Sequence, residues 1–435
     1  MSKENPKILV LSSVDPHRGP AVVAEDQYKR LKKAGYDVDF MTLYPVEGHP
    51  EYLFVYKTKK VKKWTFTNIL RKITDNNRLV QKHRYRDPQA GIFYRKETNV
   101  QVSTRDIVDS VNKKYDVVVV YFWQEMLTFK SIEAIYDKLH CLFIFRCVDY
   151  SPMAGGCHFT GDCKNFETGC GNCPGIGSNK LNDFTRFNVK YRKRVYEKVK
   201  PVVSGNGYMQ TFYDRSYLLK DYDRRVRTYF TLDLNHFCEQ NRNEARKLFE
   251  IPQSDKFVIL FGAQSLSDER KGVSYLLDAF KILYDKLNEE DRNRILLVLA
   301  GRSIDEIKDK LCFDYKHLGF VKADLLPMMY SAADVFLSPS VNDAGPSMVN
   351  QSLACGTPVV SFEMGTAIDY VKDKNTGYCA KLRDAEDFAN GIEKIFRMSE
   401  SDYLSMRKES RSVSEDLSSE ERELKMYKEI FEKYL

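Results

Sequence analysis

The stretch that decides the fold runs from Asp334 to Phe362, DVFLSPSVNDAGPSMVNQSLACGTPVVSF. It opens on a short apolar run, VFLSPS, which Pro339 and Ser340 end. Asn342-Asp343-Ala344-Gly345-Pro346 has loop chemistry. Ser347 to Cys355 has helical spacing, with Met348, Val349 and Leu353 apolar, and Gly356 stops it. Pro358 then opens a second buried strand, VVSF. The order is strand, loop, helix, turn, strand. A glycine-bearing loop that feeds a helix N-terminus presents backbone amides and a positive dipole end, and together these attract phosphate. Asp343 and Gln351 flank the first helical turns.

The same stretch resembles the signature of the family-4, or group 1, retaining glycosyltransferases. That signature is a glutamate, seven residues, a second glutamate and a tail ending G-x-P-V-V. LACGTPVV (Leu353 to Val360) matches the tail, and Asp343 and Gln351 stand at the two glutamate positions. The resemblance implies the GT-B architecture, an α/β fold of two Rossmann-like doubly wound parallel-sheet domains facing across a cleft. It also implies that the first acid faces the donor sugar, which makes Asp343 the catalytic candidate. The loop and helix start of Gly345, Pro346, Ser347 and Met348 would hold the diphosphate, and Gln351 the ribose hydroxyls. Gln351 keeps a hydrogen bond to a hydroxyl but brings no charge. The plainer reading is an ordinary loop and helix of any doubly wound sheet.

Upstream, KFVILFGA (Lys256 to Ala263) reads as a buried strand. SLSDERKGVSYLLDAF follows, a loop with Arg270, Lys271 and Gly272, then a helix with Leu276, Leu277 and Phe280 inward. A cation pair at a strand-to-helix loop suits a diphosphate, because Lys supplies a point charge and Arg a planar fork. The resembling enzymes place a phosphate-binding lysine just before this glycine, here Lys271. Their second arginine lies several residues earlier, where this chain has Gln264-Ser265, so Arg270 is its candidate substitute. A solvated charge cluster is the bland alternative. ILLVLAG (Ile295 to Gly301), HLGFV (His317 to Val321) and YSAADVFLSPS continue in the order of the family's donor half.

The N-terminal half alternates strands and helices as well. KILVLSS (Lys7 to Ser13), VDFMTL (Val38 to Leu43), DVVVVYF (Asp116 to Phe122), CLFIFRC (Cys141 to Cys147) and PVVSG (Pro201 to Gly205) read as strands. Near-continuous apolar runs with helices between them indicate parallel sheets covered on both faces. The first helix is expected to turn Val22, Tyr28 and Leu31 inward. In the family a Gly-Gly pair precedes it where backbone approaches the substrate, and Gly19 carries that acceptor-side role here. The expected organisation is an N-terminal acceptor-side domain over 1–230 with a cysteine-rich insert at 149–177. A nucleotide-sugar-binding domain over 231–412 follows. The segment 413–435 ends in a helix that either returns to the N-terminal domain or covers the C-terminal sheet.

Composition agrees with a globular chain. Its 435 residues suffice for two large domains, with 43% hydrophobic and 30% charged residues. No apolar run reaches the ~18 residues of a membrane helix. MSKENPKILVLSS passes straight into a strand without a signal-peptide core, so the expectation is a cytoplasmic protein. Charge is unevenly split: +15 over residues 1–230 and −8 over 231–435, for the net +7. The excess lies in KTKKVKKW (Lys57 to Trp64), KHRYR (Lys82 to Arg86) and KYRKR (Lys190 to Arg194). Interleaved with Trp64, Phe66, Ile69 and Leu70, such clusters suit an anionic membrane surface at ~1 kcal/mol per well-placed cation. A solvated basic face is the alternative, and no nucleic-acid module is present.

Four of the ten cysteines cluster, in SPMAGGCHFTGDCKNFETGCGNCPGIG. Cys157, Cys163, Cys170 and Cys173 are spaced C-x5-C-x6-C-x2-C among glycines, which permit tight turns around one ion. A structural zinc is one reading; disulfides or redox-labile thiols, and plain free thiols, are the others. The segment resembles an insert in a subgroup of polysaccharide-building glycosyltransferases similar to the colanic acid enzymes. Asp149, Pro152, Gly155, Gly156, Cys157, His158 and Gly169 to Pro174 match it. The subgroup's histidine before the aspartate is Val148 here, and its tryptophan is Ser151.

These resemblances imply a retaining hexosyltransferase in cell-surface polysaccharide biosynthesis, with no metal needed for catalysis. Its partners would be a nucleotide diphosphate-sugar, a glycan or lipid-linked glycan acceptor and an anionic membrane face, and not nucleic acid. The departures at Asp343, Gln351 and Val148 keep a second class open, a weakened sugar-binding or scaffold subunit of a polysaccharide-assembly complex. A sugar-phosphate synthase or phosphorylase on the same fold is a third.

Overall fold

The computed structural model describes residues 5–13, 20–57, 96–98, 102–123, 126–253 and 256–435. The chain divides into two compact units. One comprises Met1–Gly205, Gln210–Arg227 and Met426–Leu435; the other comprises Asn206–Met209 and Thr228–Lys425. Gly19, the acceptor-side candidate, lies outside the described residues. So do Trp64, Phe66, Ile69, Leu70, KHRYR and all but Lys57 of KTKKVKKW.

The first unit is built on β1 (Ile8–Leu11), β2 (Val38–Thr42), β3 (Leu53–Phe54), β4 (Val117–Val120), β5 (Leu142–Arg146), β6 (Val202–Gly205) and β7 (Arg225–Arg227). Their order is β3-β2-β1-β4-β5-β6-β7, and every pairing is parallel. β4 is four valines, each fully buried. A β-branched run of this kind suits a pleated strand covered on both faces. The helix Pro20–Lys33 buries Ala24, Gln27, Tyr28 and Leu31. Val22 was expected on that stripe but is 40% exposed, because two positions before Ala24 lies some 200° around the helix. Within this unit Gln27 hydrogen-bonds Tyr427, and Phe431 packs edge-on to Tyr36 at 6.0 Å. The end of the last helix, Glu420–Tyr434, therefore covers the first helix.

The second unit is built on β8 (Phe257–Ser265), β9 (Ile295–Arg302), β10 (Tyr315–Gly319), β11 (Val335–Ser338), β12 (Val359–Phe362) and β13 (Gly377–Ala380). The order is β10-β9-β8-β11-β12-β13, again wholly parallel. Alternate residues feed two cores. Ile259, Leu297, Leu337 and Val360 pack with Leu276, Phe280, Phe388 and Ile392 on one face. Val258, Leu260, Phe336 and Val359 pack with Tyr330, Val349 and Leu353 on the other. Each sheet reverses its winding once, between β1 and β4 in the first and between β8 and β11 in the second. In open parallel sheets, ligands bind outside the carboxyl ends of the strands at that reversal. Among the described residues no helix is long and apolar enough to cross a membrane.

Candidate functional site

The reversal in the second sheet brings two distant loops side by side. One leaves β8 and carries Arg270 and Lys271; the other leaves β11 and carries Asp343. They are stitched together by the Val341 amide, which donates to the Arg270 carbonyl at 2.9 Å. Gly272, at φ +69°, makes the approach possible: a Cβ there would sit 1.8 Å from the Pro339 carbonyl oxygen. Lys271 Nζ then reaches Asp343 Oδ2 at 2.7 Å. Asp343 Oδ1 accepts the Gly345 amide at 3.0 Å. Burial pushes this carboxyl upward, but the Lys271 charge and hydrogen bond, the Gly345 amide and the Arg270 charge outweigh it. Asp343 is held below its ordinary value of 3.8.

The helix Ser347–Ala354 starts at this pair. Its N-cap is Pro346, which has no N–H, so the expected set of four donors shrinks. The Gly345 amide is already turned to Asp343, and those of Ser347 and Met348 head the helix. Gly345 has no room for a side chain: a Cβ would lie 2.5 Å from the Phe230 ring and 2.9 Å from Asn206 Nδ2. The Met348 side chain lies on Gly262 of β8, where a Cβ would come 2.6 Å from its methyl. One turn into the helix, Gln351 Oε1 accepts the Tyr330 hydroxyl at 3.0 Å. Arg270 is turned onto Asp268 of its own loop, Nη2 to Oδ2 at 2.7 Å. The structure thus joins Lys271 directly to Asp343, with Arg270 and Gln351 each engaged by another neighbour.

Several supporting residues escaped the motif reading. Asn206 Nδ2 donates to the Ala344 carbonyl at 2.7 Å, and Asp369 Oδ2 accepts the Gly207 amide at 2.9 Å. Thr366 is 1% exposed, and its hydroxyl would lie 3.1 Å from a Cβ on Gly345. The signal was the Met364-Gly365-Thr366 turn after β12, whose Gly365 packs on Pro346.

In the first unit, the position expected to hold a histidine is Val148, and the histidine of the insert, His158, pairs with the neighbouring Asp149. The Tyr150 amide donates to the His158 carbonyl at 3.1 Å, which folds the insert back on itself. His158 Nδ1 meets Asp149 Oδ2 at 2.9 Å, and Asp149 Oδ1 accepts the Ser151 amide at 2.8 Å. The ring stands edge-on to Phe122, just beyond β4, at 5.5 Å. A carboxylate that fixes one ring nitrogen orients the imidazole and sets its tautomer. The signal was the C-H dipeptide of the insert.

Cys157, Cys163, Cys170 and Cys173 line a single pocket, with Thr160 and Asn165 among its walls. All four are free thiols. Burial pushes Cys170 up to about 12 and Cys173 up to about 11. In KYRKR, Arg192 is interior: it pairs with Glu97 at 2.6 Å and donates to the Ser151 and Ala154 carbonyls. This removes it from the basic face expected there, because the aliphatic and aromatic surroundings leave a guanidinium no other way to be solvated.

Residues 241–413 match the family model for glycosyl transferases, group 1. The chain carries a group 1 glycosyltransferase domain. Lys271, Asp343 and the helix Ser347–Ala354 all lie inside the matched stretch. A D-inositol 3-phosphate glycosyltransferase of Geodermatophilus obscurus is 29% identical to this chain over 175 residues, 38% of each protein. The matched stretches span about two fifths of such curated relatives. Over nearly whole chains the fold is similar to that of a sucrose-phosphate synthase from Thermosynechococcus elongatus. That likeness has a TM-score of 0.66 at 16% identity and covers 98% of this chain and 99% of the other. HepE of Anabaena, solved with UDP and glucose, gives 0.60 at 14% identity, covering 99% and 100%. At such identities the likeness speaks for the fold alone, the two Rossmann-like domains of the GT-B class. The glycosyltransferase domain thus sits in the second unit of a GT-B chain.

Proposed function

We propose that this protein is a retaining glycosyltransferase of the hexosyltransferase type. It moves a sugar from a nucleotide diphosphate-sugar to a glycan acceptor, lipid-linked or free, in the building of a cell-surface polysaccharide. The observation that carries the reading is the Lys271–Asp343 ion pair at the sheet reversal, beside a helix N-terminus. As the sugar leaves, negative charge develops on the departing diphosphate. Lys271 and the Ser347 and Met348 amides meet that charge without having to reorganise. Asp343 stays ionised, so it fixes the Lys271 ammonium and keeps a negative group beside the sugar. The amide of Gln351 serves the ribose hydroxyls by hydrogen bonding alone. Retention and the polysaccharide role rest on the family resemblance.

The positive balance of residues 1–230 supports a peripheral seat on an anionic membrane. The exposed Lys190 and Lys193 contribute to it, whereas Arg194 and Lys198 are paired with Glu133. One observation favours the second reading, a sugar-binding subunit without turnover: Gln351 supplies no charge and its carbonyl is held by Tyr330. The deciding experiment incubates purified full-length protein with a panel of UDP-, GDP- and ADP-sugars and oligosaccharide acceptors. The anomeric configuration of the product is followed by NMR. Transfer with the donor's configuration kept supports the proposal. Donor binding without transfer or hydrolysis would favour the binding subunit, and no binding to any nucleotide sugar would end both readings.

A further inference from the structure

The cysteine-rich insert is independent of the donor site and poses its own question. Between Asp149 and Asp183 the regular structure consists of two three-residue 3-10 turns, Asn165–Glu167 and Pro174–Ile176. A loop-rich segment of this length needs a staple to hold one conformation. Yet its backbone is unusually constrained. Gly169, Cys170, Gly171 and Asn172 run consecutively at φ +92°, +61°, +92° and +47°. Two of these carry side chains, and each left-handed non-glycine residue costs on the order of 1 kcal/mol. The knuckle is also pressed against backbone: a Cβ on Gly171 would sit 2.0 Å from the Leu181 oxygen. A Cβ on Gly155 would sit 2.3 Å from the Thr185 oxygen.

What the strained knuckle achieves is to bring four cysteines to the walls of one pocket, with a backbone amide beside one of the sulfurs. The Asn165 amide points at Cys163 Sγ at 3.5 Å. Amide donors favour a sulfur that carries negative charge, and such donors orient metal-ligating side chains. Positive charge stands nearby. Arg186 Nη1 lies 3.1 Å from the Cys170 carbonyl, and Arg192 grips the Ser151 and Ala154 carbonyls.

We propose that Cys157, Cys163, Cys170 and Cys173 hold one zinc ion as a structural centre that closes the insert. Four thiolates in tetrahedral array are the donor set zinc takes in closed structural sites. Binding releases four protons to solvent, leaves the oxidation states unchanged and gives a centre of charge 2−, which the nearby Arg186 partly offsets. Among the described residues no three His, Cys, Asp or Glu side chains are already grouped to hold an ion. The proposed centre therefore forms only as the four thiols turn toward the ion.

The test is elemental analysis of the full-length protein purified without chelator, followed by titration of its thiols with a mercurial. The expected result is about one zinc per chain, released in step with the reaction of four thiols. Cobalt exchanged into the centre should show thiolate charge-transfer absorption and tetrahedral ligand-field bands. Cys170→Ser should lower zinc content and melting temperature; should it fail to fold, the wild-type titration still decides. Metal-free protein with four reactive thiols would overturn the proposal. So would disulfides within the cluster, or iron in place of zinc.

Discussion

The carboxylate of Asp343 and the ammonium of Lys271 lie 72 positions apart in the chain and 2.7 Å apart in space. The pair exists because β8 and β11 are neighbours in the sheet, so the loops at their carboxyl ends share one edge. Asp343 thereby positions the cation proposed to meet the donor's phosphates, and Lys271 keeps Asp343 ionised.

If Lys271 stabilises the departing diphosphate, Lys271→Ala should cut kcat/KM by at least ~100-fold, since one lost electrostatic contact to a developing charge costs about that much. Steady-state kinetics on a variant with normal circular dichroism checks this. Arg270→Ala should cost less, because Arg270 already spends its guanidinium on Asp268. Unchanged transfer by folded Lys271→Ala would remove Lys271 from the site.

Asp343→Asn should lower turnover while leaving the melting temperature at neutral pH within a few degrees, because a loop acid contributes little packing. The pH dependence has a definite sign. The folded-state pKa of Asp343 is depressed, so its contribution to stability is fully present above about 3.8 and is lost as pH falls through the lower folded value. The stability difference between wild type and Asp343→Asn should therefore be flat above pH ~5 and shrink only below pH 3.8. A difference that changes around neutral pH would point to another group.

Gln351→Glu should be tolerated. The Tyr330 hydroxyl that donates to Gln351 Oε1 can donate equally to a carboxylate. Isothermal titration with the preferred nucleotide sugar should give equal or tighter binding. Marked weakening would mean that the Gln351 amide N–H, not its carbonyl, makes the donor contact.

Gly345→Ala should be disruptive for its size. The added methyl meets Phe230 and Asn206, and overpacking of this kind costs ~1–3 kcal/mol. Because Gly345 lies in the loop that carries Asp343, and Asn206 holds the Ala344 carbonyl of that loop, donor affinity should fall along with the melting temperature. A stable variant with full donor affinity would show that the loop has slack.

Arg192→Ala should cost ~3–5 kcal/mol, measured as a shift of the urea midpoint, because it strands the buried Glu97 carboxylate. Binding to anionic vesicles should change little per folded molecule, since Arg192 is interior. A large loss of vesicle binding with unchanged stability would restore Arg192 to the basic face.

By itself the sequence determined the alternation of strands and helices, because continuous apolar runs such as VVVV and KFVILFGA bury both faces of a parallel strand. It also determined the loop-to-helix passage at Gly345-Pro346-Ser347 and singled out Lys271 and Asp343, through residue chemistry and the order of segments that resembles the group 1 glycosyltransferases. Local pattern carries no information on which strands become neighbours. Only the tertiary structure decided that β8 lies against β11, and hence that Lys271 meets Asp343. The same limit applies to Arg192, which reads as one more cation of a basic run and becomes an interior clamp once Glu97 is brought to it. It applies again to His158, nine positions from the Asp149 that orients it. Strand pairing, burial and the folding back of an insert are contacts between distant residues, and their free energy depends on what the rest of the chain places opposite.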